Sequence, residues 1–271
     1  MTKFDKIIYY RSKDGQQKEG VNKTPDNIDF LINKNIIRYN VPIIDHLSPM
    51  NNLYNNLYNL YNYNTKIIGP RINFGGDHSM AIASLAYSLN EFKNLKVIWI
   101  DAHPDINTLN DSVSKNYHGM PLSFLTGLDK DNKFSFIKNL LDFDNLLYIG
   151  IRDLDNFEKE IIVSKKIKYI SVEEFNNNNE KSLQFIKNFI KNSNIHISFD
   201  VDSMDPSLIQ CTGTSVKNGL FLEPVKKLFN MLINADNIVN FDITELNLEE
   251  GFWREKINSL QNLFYLLEFM V

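Results

Sequence analysis

The 271-residue sequence holds a single cysteine, Cys211, so no disulfide can form within the chain. That absence fits a reducing, cytoplasmic setting, and Cys211 itself reads as packing. No apolar run approaches the roughly 20 residues that a membrane-spanning helix requires. Met1–Arg11 has no apolar core of the kind a secretory signal carries. Basic residues are not in excess either: 29 Lys and Arg face 33 Asp and Glu, for a net charge of -4. This balance lacks the electrostatic footprint of a nucleic-acid binder. Nucleic acid and membrane are set aside as partners, and a small soluble substrate fits better.

No linker divides the chain, so residues 1–271 are expected to form one domain, a length that can bury a substantial core. The nearest approach to low complexity is Asn52–Asn64. There Leu53, Leu57 and Leu60 recur at helical spacing, which predicts an amphipathic helix rather than an aromatic binding box. The frequent Asn, Lys, Ile and Tyr read as coding bias without chemistry.

Short apolar runs occur at Lys6–Tyr10, Lys66–Phe74, Lys96–Ile100, Leu146–Ile151, Ile167–Ile170, Ile195–Phe199 and Ile238–Phe241. Segments with helical periodicity lie between them, at Ser79–Leu89, Phe134–Leu141, Ser182–Lys191 and Glu223–Ile233. Asn176–Asn179 reads as a polar loop, and Leu260–Val271 as a buried terminal helix. Alternation of strand and helix predicts a three-layer α/β/α fold around a mainly parallel sheet. Runs that are apolar throughout suit strands buried on both faces.

Several of these strands run into acidic or acidic–histidine clusters. They are Gly75-Gly-Asp77-His78-Ser79, Asp101-Ala-His103-Pro-Asp105, Arg152-Asp153-Leu-Asp155, Asp200-Val-Asp202-Ser-Met-Asp205 and Asp242-Ile-Thr-Glu245. Ligands of open α/β sheets bind at the carboxyl ends of the strands, so the clusters should converge on one crevice. Convergent carboxylates repel one another, and divalent cations remove that cost. Alternate residues of an extended segment share a side, which groups Asp101 with His103 and Asp105, and Asp200 with Asp202. The candidate ligands His78, Asp101, His103, Asp105, Asp200 and Asp202 include no thiolate. Such a set suits manganese, with iron, cobalt and nickel as alternatives. Taken alone, Asp77, Asp153, Asp205, Asp242, His46 and His196 read as structural polar residues.

Three of these segments, residues 75–79, 101–105 and 198–206, resemble the signature segments of the ureohydrolase family, which includes arginases, agmatinases and formiminoglutamases. Residues 15–21 and 212–216 resemble two further loops of that family. The resemblance implies two Mn2+ ions per subunit. One would be held by His78, Asp101, Asp105 and Asp200. The other would be held by Asp101, His103, Asp200 and Asp202, with Asp101 and Asp200 bridging.

Within the family, the stretch from Asn107 through Ser112, Ser114 and Asn116 is similar to the arginase loop that grips an α-carboxylate. Gly150–Asp155 is similar to the segment whose second Asp meets an α-ammonium. The resemblance therefore implies hydrolysis of L-arginine to L-ornithine and urea by a hydroxide shared between the metals. Asp105 would aim that hydroxide, Glu245 would anchor the guanidinium, and His118 would shuttle the proton. Thr214 joins the expected substrate contacts. A homo-oligomer, a trimer as in many arginases, is implied as well.

The sequence departs from the family pattern at Lys115, where a small residue is usual, and at Ser215, Asn218 and Leu248. It also ends soon after the expected last helix, without the long tail of animal arginases. The alternatives are another ureohydrolase acting on agmatine or a related guanidino or formimino compound, and an inactive scaffold.

Overall fold

The computed structural model describes residues 4–235 and 237–268. Among them, eight strands form one sheet: β1 (Lys6–Tyr10), β2 (Ile37–Asn40), β3 (Arg71–Gly75), β4 (Leu95–Ile100), β5 (Leu146–Ile149), β6 (Lys168–Ile170), β7 (Asn194–Asp200) and β8 (Ile238–Thr244). The order is β2-β1-β3-β8-β7-β4-β5-β6, and every pairing is parallel. All carboxyl ends therefore open on one edge of the sheet.

Side chains alternate between the faces with the period of a strand. Ile7, Tyr9, Ile98, Ile100, Leu147 and Ile149 enter one core cluster. Ile8, Tyr10, Val97, Trp99, Leu146 and Tyr148 enter the other. The first cluster is closed by α1 (Thr24–Ile28), α6 (Val172–Asn177), α7 (Asn179–Phe189), α8 (Leu222–Ile233) and α9 (Trp253–Leu266). The second is closed by α2 (Pro49–Lys66), α3 (Ala81–Glu91), α4 (Pro121–Thr126) and α5 (Asn156–Ser164). Helices on both faces of a parallel sheet are the three layers expected from the sequence.

The centre of the second face is polar. Asn73, His196, Asn240 and Asp242 are fully buried beside Ser84 and Ser88 of α3. Asp242 accepts from Asn73 Nδ2 at 2.7 Å and from Ser84 Oγ, and faces His196 Nε2 at 3.0 Å. His196 Nδ1 lies 2.9 Å from Ser88 Oγ. Burial without such partners would cost about 1–3 kcal/mol per group. Both His196 and Asp242 thus have structural work in this seam, while His46 is exposed.

Four expectations need correction. The run from Lys66 is not strand throughout: Lys66 ends α2, and the Gly69-Pro70 turn, with Gly69 at φ 90°, delays β3 to Arg71. Asn176–Asn179 is not a loop, because α6 ends at Asn177 and α7 begins at Asn179. The terminal helix begins earlier than expected, at Trp253, and its expected last residues, Phe269–Val271, lie outside the described ones.

Phe134–Leu141 is not a helix: beyond the short 3-10 turn Asn132–Phe134 it carries turns and bends. Asn90 on α3 supplies the reason. Its Oδ1 accepts the backbone N–H of Lys138 and Asn139, and its Nδ2 donates to the carbonyl of Phe136 at 2.7 Å. Tertiary hydrogen bonds thereby replace helical ones while Phe134, Phe136 and Leu141 reach the core. Asn90→Ala removes these bonds together. It is expected to cost about 2 kcal/mol, seen as a fall of several degrees in thermal midpoint, with the affinity for divalent metal unchanged. An unaltered midpoint would show that the segment holds its shape without Asn90.

Candidate active site

The chain leaves β3, β4, β5, β7 and β8 at the same edge, and each exit delivers candidate site residues. β7 and β4 are neighbours, so the loops after Ile100 and Asp200 face one another directly. Asp101 and Asp202 are essentially fully buried, and Asp200 nearly so. His78 sits in the short turn after β3, between Asp77 and α3.

The geometry converges on His78. Its Nδ1 lies 3.1 Å from Asp101 Oδ2, 3.0 Å from Asp105 Oδ2 and 3.2 Å from Asp200 Oδ2. Yet this buried nitrogen makes no hydrogen bond. Its partner Nε2 is bonded to Ser198 Oγ at 2.8 Å, and the ring stacks on Trp99 at 4.2 Å between centroids. Trp99 Nε1 donates to Asp101 Oδ2 at 2.9 Å. These outer contacts fix the ring so that Nδ1 faces the carboxylates, the kind of orientation that supporting hydrogen bonds give to metal ligands.

A second grouping shares Asp101. Its Oδ1 lies 3.6 Å from His103 Nδ1, which is 3.0 Å from Asp202 Oδ2. One carboxylate thus turns one oxygen to each histidine. His78, Asp101 and Asp200 form one potential metal-holding group, and Asp101, His103 and Asp202 the other. Asp200 turns Oδ2 to His78, and its Oδ1 accepts the backbone N–H of Asp202 at 2.8 Å, as Asp101 Oδ1 accepts that of His103 at 2.7 Å.

A buried imidazole nitrogen about 3 Å from three carboxylate oxygens, with no hydrogen bond to any of them, fits a set of donors around one cation. Donors about 2.1 Å from a metal and at right angles to one another lie about 3 Å apart. Burial and the charges of Asp202 and Asp101 push Asp200 well above the usual carboxylate range. Asp105 is raised to about 6, by burial and by Asp101. Both shifts express the cost of gathering these charges in a buried site, a cost that His78 offsets in part.

The cavity outside this group has a volume of about 260 Å³, and His78, His103, Asp105, Asp200, His118 and Thr214 are among its walls. Glu245, fully buried behind it, accepts His78 N at 2.8 Å and Gln16 Nε2 at 2.8 Å, and faces His118 Nδ1 at 3.2 Å. Burial opposes charge on His118, but Glu245 outweighs it and raises the imidazole to about 9. Asp105 and Glu245 both occupy left-handed backbone, at φ 48° and 64°. Such strain costs about 1–3 kcal/mol per residue and gathers at functional sites.

Asn107 and Asp155 also line the cavity, where Asn107 Nδ2 donates to Asp155 Oδ2 at 2.7 Å. Ser112, Ser114 and Asn116 line it as well. Thr214 lines it too, but its hydroxyl is engaged with Asp202 Oδ2 at 2.8 Å, so it also braces a candidate ligand.

Sequence reasoning passed over several contributors. Glu158 lines the cavity, accepts the backbone N–H of Asp155 at 3.0 Å, and is raised to about 7 chiefly by burial. Its signal was present: Asp155-Asn-Phe-Glu158 has the spacing of a capping box. Asp153, read as structural, lines the cavity with Oδ2 3.7 Å from His103 Nε2. Arg152 donates to the carbonyls of Gly150, Asp202, Ser203, Met204, Val216 and Lys217, tying the loops after β5 and β7 together. Only tertiary structure could disclose that. Asp77, in contrast, is the cap expected of it, accepting Ser79 N and Gly15 N.

The sequence and the fold resemble those of known proteins. Residues 11–251 match the model of the arginase family. The arginase of Neurospora crassa is 40% identical over 191 residues, which cover 65% of this chain and 52% of that protein. The arginase of Staphylococcus aureus is 35% identical over 179 residues, 64% of this chain and 59% of that one. The chain spans about half the length of the curated relatives it matches. The structure of Entamoeba histolytica arginase in complex with L-ornithine superposes with a TM-score of 0.90 at 27% identity, covering 100% of this chain and 99% of that one. Bacillus subtilis arginase gives 0.87 at 26%, covering 99% and 98%.

The shared position of Asp101 generates a test. Asp101→Ala is expected to weaken both metal positions, whereas His103→Ala is expected to weaken one. Metal content after dialysis against limiting manganese distinguishes them. Equal losses in the two variants would contradict a bridging role for Asp101.

Proposed function

The chain belongs to the arginase family, and from that premise we propose that it hydrolyses L-arginine to L-ornithine and urea with two manganese ions. The observation that carries the reading is the Asp101 carboxylate divided between His78 and His103. His78, Asp101, Asp105 and Asp200 would hold one ion, and Asp101, His103, Asp200 and Asp202 the other. All the donors are oxygen or imidazole nitrogen, a set that suits manganese. What two bound divalent cations supply is water activated as a nucleophile at neutral pH.

The chain's own residues do the rest. Glu245 offers a carboxylate to the guanidinium, whose planar donors match it in a bidentate fork. Gln16 Nε2 donates to Glu245 Oε2 at 2.8 Å, and the guanidinium would take the place of that donor. Asp105 orients the attacking water toward the guanidinium carbon. As the bond from that carbon to the substrate's chain nitrogen breaks, the departing amine takes a proton from His118, the hydroxyl left on carbon gives up its proton as the urea carbonyl forms, and His118 is reprotonated from solvent. The proton is held on His118 by its contact with Glu245. At the far end, Asp155 and Glu158 face the α-ammonium, and Asn107, Ser112, Ser114 and Asn116 offer neutral donors to the α-carboxylate.

One observation favours a second reading, agmatine hydrolysis. Among the described residues no Lys or Arg lines the cavity, while Asp153, Asp155 and Glu158 do. A substrate without a carboxylate would meet no unfavourable charge there. Preference is therefore decided by hydrogen bonding, because groups built to bind a carboxylate are left unpaired by an analogue that lacks it. With manganese present, arginine is expected to give urea with a kcat/KM well above that of agmatine. Comparable values, or a preference for agmatine, would overturn the assignment to arginine.

His118→Ala is expected to lower kcat by about 100-fold or more, the usual scale of general acid–base catalysis, with manganese content unchanged. Loss of metal together with activity would show that His118 supports the metal site instead.

A further inference from the structure

The wall that faces the far end of the substrate is a loop, residues 107–118, and its shape depends on a residue that does not touch the cavity. Lys115 is exposed and is absent from the cavity lining, although its neighbours Ser112, Val113, Ser114 and Asn116 line it. Its backbone is left-handed, at φ 58°, a conformation glycine adopts freely and lysine does not. The side chain turns back across the loop. Its Nζ donates to the carbonyl of Leu109 at 2.5 Å and to that of Asn110 at 3.2 Å.

Elsewhere the loop is pinned at its base. Leu109 N donates to Asp129 Oδ2 at 2.6 Å, Thr108 Oγ1 to Asp111 Oδ2 at 2.5 Å, and Ser112 N to Thr108 O at 2.9 Å. At the tip, Ser112 Oγ accepts Lys115 N at 3.1 Å, and Ser114 Oγ accepts Asn116 N at 3.3 Å. Val113, between the two serines, is almost wholly exposed and contributes little apolar packing. Among the described residues, the Lys115 ammonium is thus the side-chain link that joins the tip to the start of the loop.

We propose that Lys115 is a positioning residue: its ammonium latches the loop over the cavity and holds Ser112 and Ser114 toward the substrate's α-carboxylate. The second half of that statement rests on the arginine reading above; the latch itself does not. A lysine there compensates for its unfavourable backbone with a charge-assisted contact. It acts through loop geometry, without pairing with the carboxylate.

The test compares wild type, Lys115→Met and Lys115→Arg, all loaded with manganese. Hydrogen–deuterium exchange of the ligand-free proteins reads the latch directly. Lys115→Met should exchange faster across residues 109–116, and Lys115→Arg should stay near wild type. In kinetics, Lys115→Met should raise KM for arginine about 3- to 10-fold, the size of one net hydrogen bond. Its kcat should change less than twofold, and so should the inhibition constant of agmatine, which lacks the carboxylate. Unchanged exchange in Lys115→Met would overturn the latch. Faster exchange with an unchanged KM would overturn the positioning role. A wild type that leaves arginine intact would refute the arginine reading, while the exchange comparison would still decide the latch.

Discussion

Four buried carboxylates, those of Asp101, Asp105, Asp200 and Asp202, meet within one small volume at the carboxyl edge of a parallel sheet. Two like charges about 4 Å apart repel by about 4 kcal/mol at an effective dielectric constant of 20. Several such pairs rival the whole stability of a domain, about 5–15 kcal/mol. The arrangement becomes sustainable when positive charge sits among the carboxylates. The orphaned Nδ1 of His78 marks one place for it, and the space between Asp101, His103 and Asp202 marks another.

Much of the remaining structure holds this cluster in place. The β7–β4 pairing sets the loops of Asp101 and Asp200 face to face. Trp99 and Ser198, which precede those aspartates by two residues on their strands, brace Asp101 and His78. Below them, the seam of Asn73, His196 and Asp242 ties β3, β7 and β8 to each other and to α3. Arg152 gathers six carbonyls from the loops around Asp202. Glu245 then links the amino-terminal loop, through Gln16, with His78 and His118. A site assembled from five strand ends needs such bracing, because misplacement of one reacting group by about 1 Å can cost about 100-fold in rate.

β1, β4 and β5 were legible because they are almost wholly apolar, the pattern of burial on both faces, whereas β3, β7 and β8 alternate apolar residues with the buried polar ones of the seam. The edge strand β2 was not, because Ile37-Arg-Tyr-Asn is mixed and half exposed. Phe134–Leu141 carried helical periodicity, yet three hydrogen bonds from Asn90 gave its backbone another solution. The metal-ligand candidates stood out because His and Asp alternate directly after buried strands. Glu158 and Arg152 were obscured by ordinary local roles, one capping a helix and the other following a strand. Lys115 was legible as a departure from the family pattern, but where its side chain goes depends on the fold of the loop.

The most direct test of the charge argument is a calorimetric titration of the chelator-treated wild-type chain with manganese, at neutral pH and low ionic strength. Two ions should bind per chain, each with release of heat or protons, because metal displaces protons from ligands that hold them. The loaded protein should unfold at a clearly higher temperature than the metal-free one. No binding at excess manganese, or a metal-free chain as stable as the loaded one, would contradict the claim that these carboxylates are gathered to hold cations.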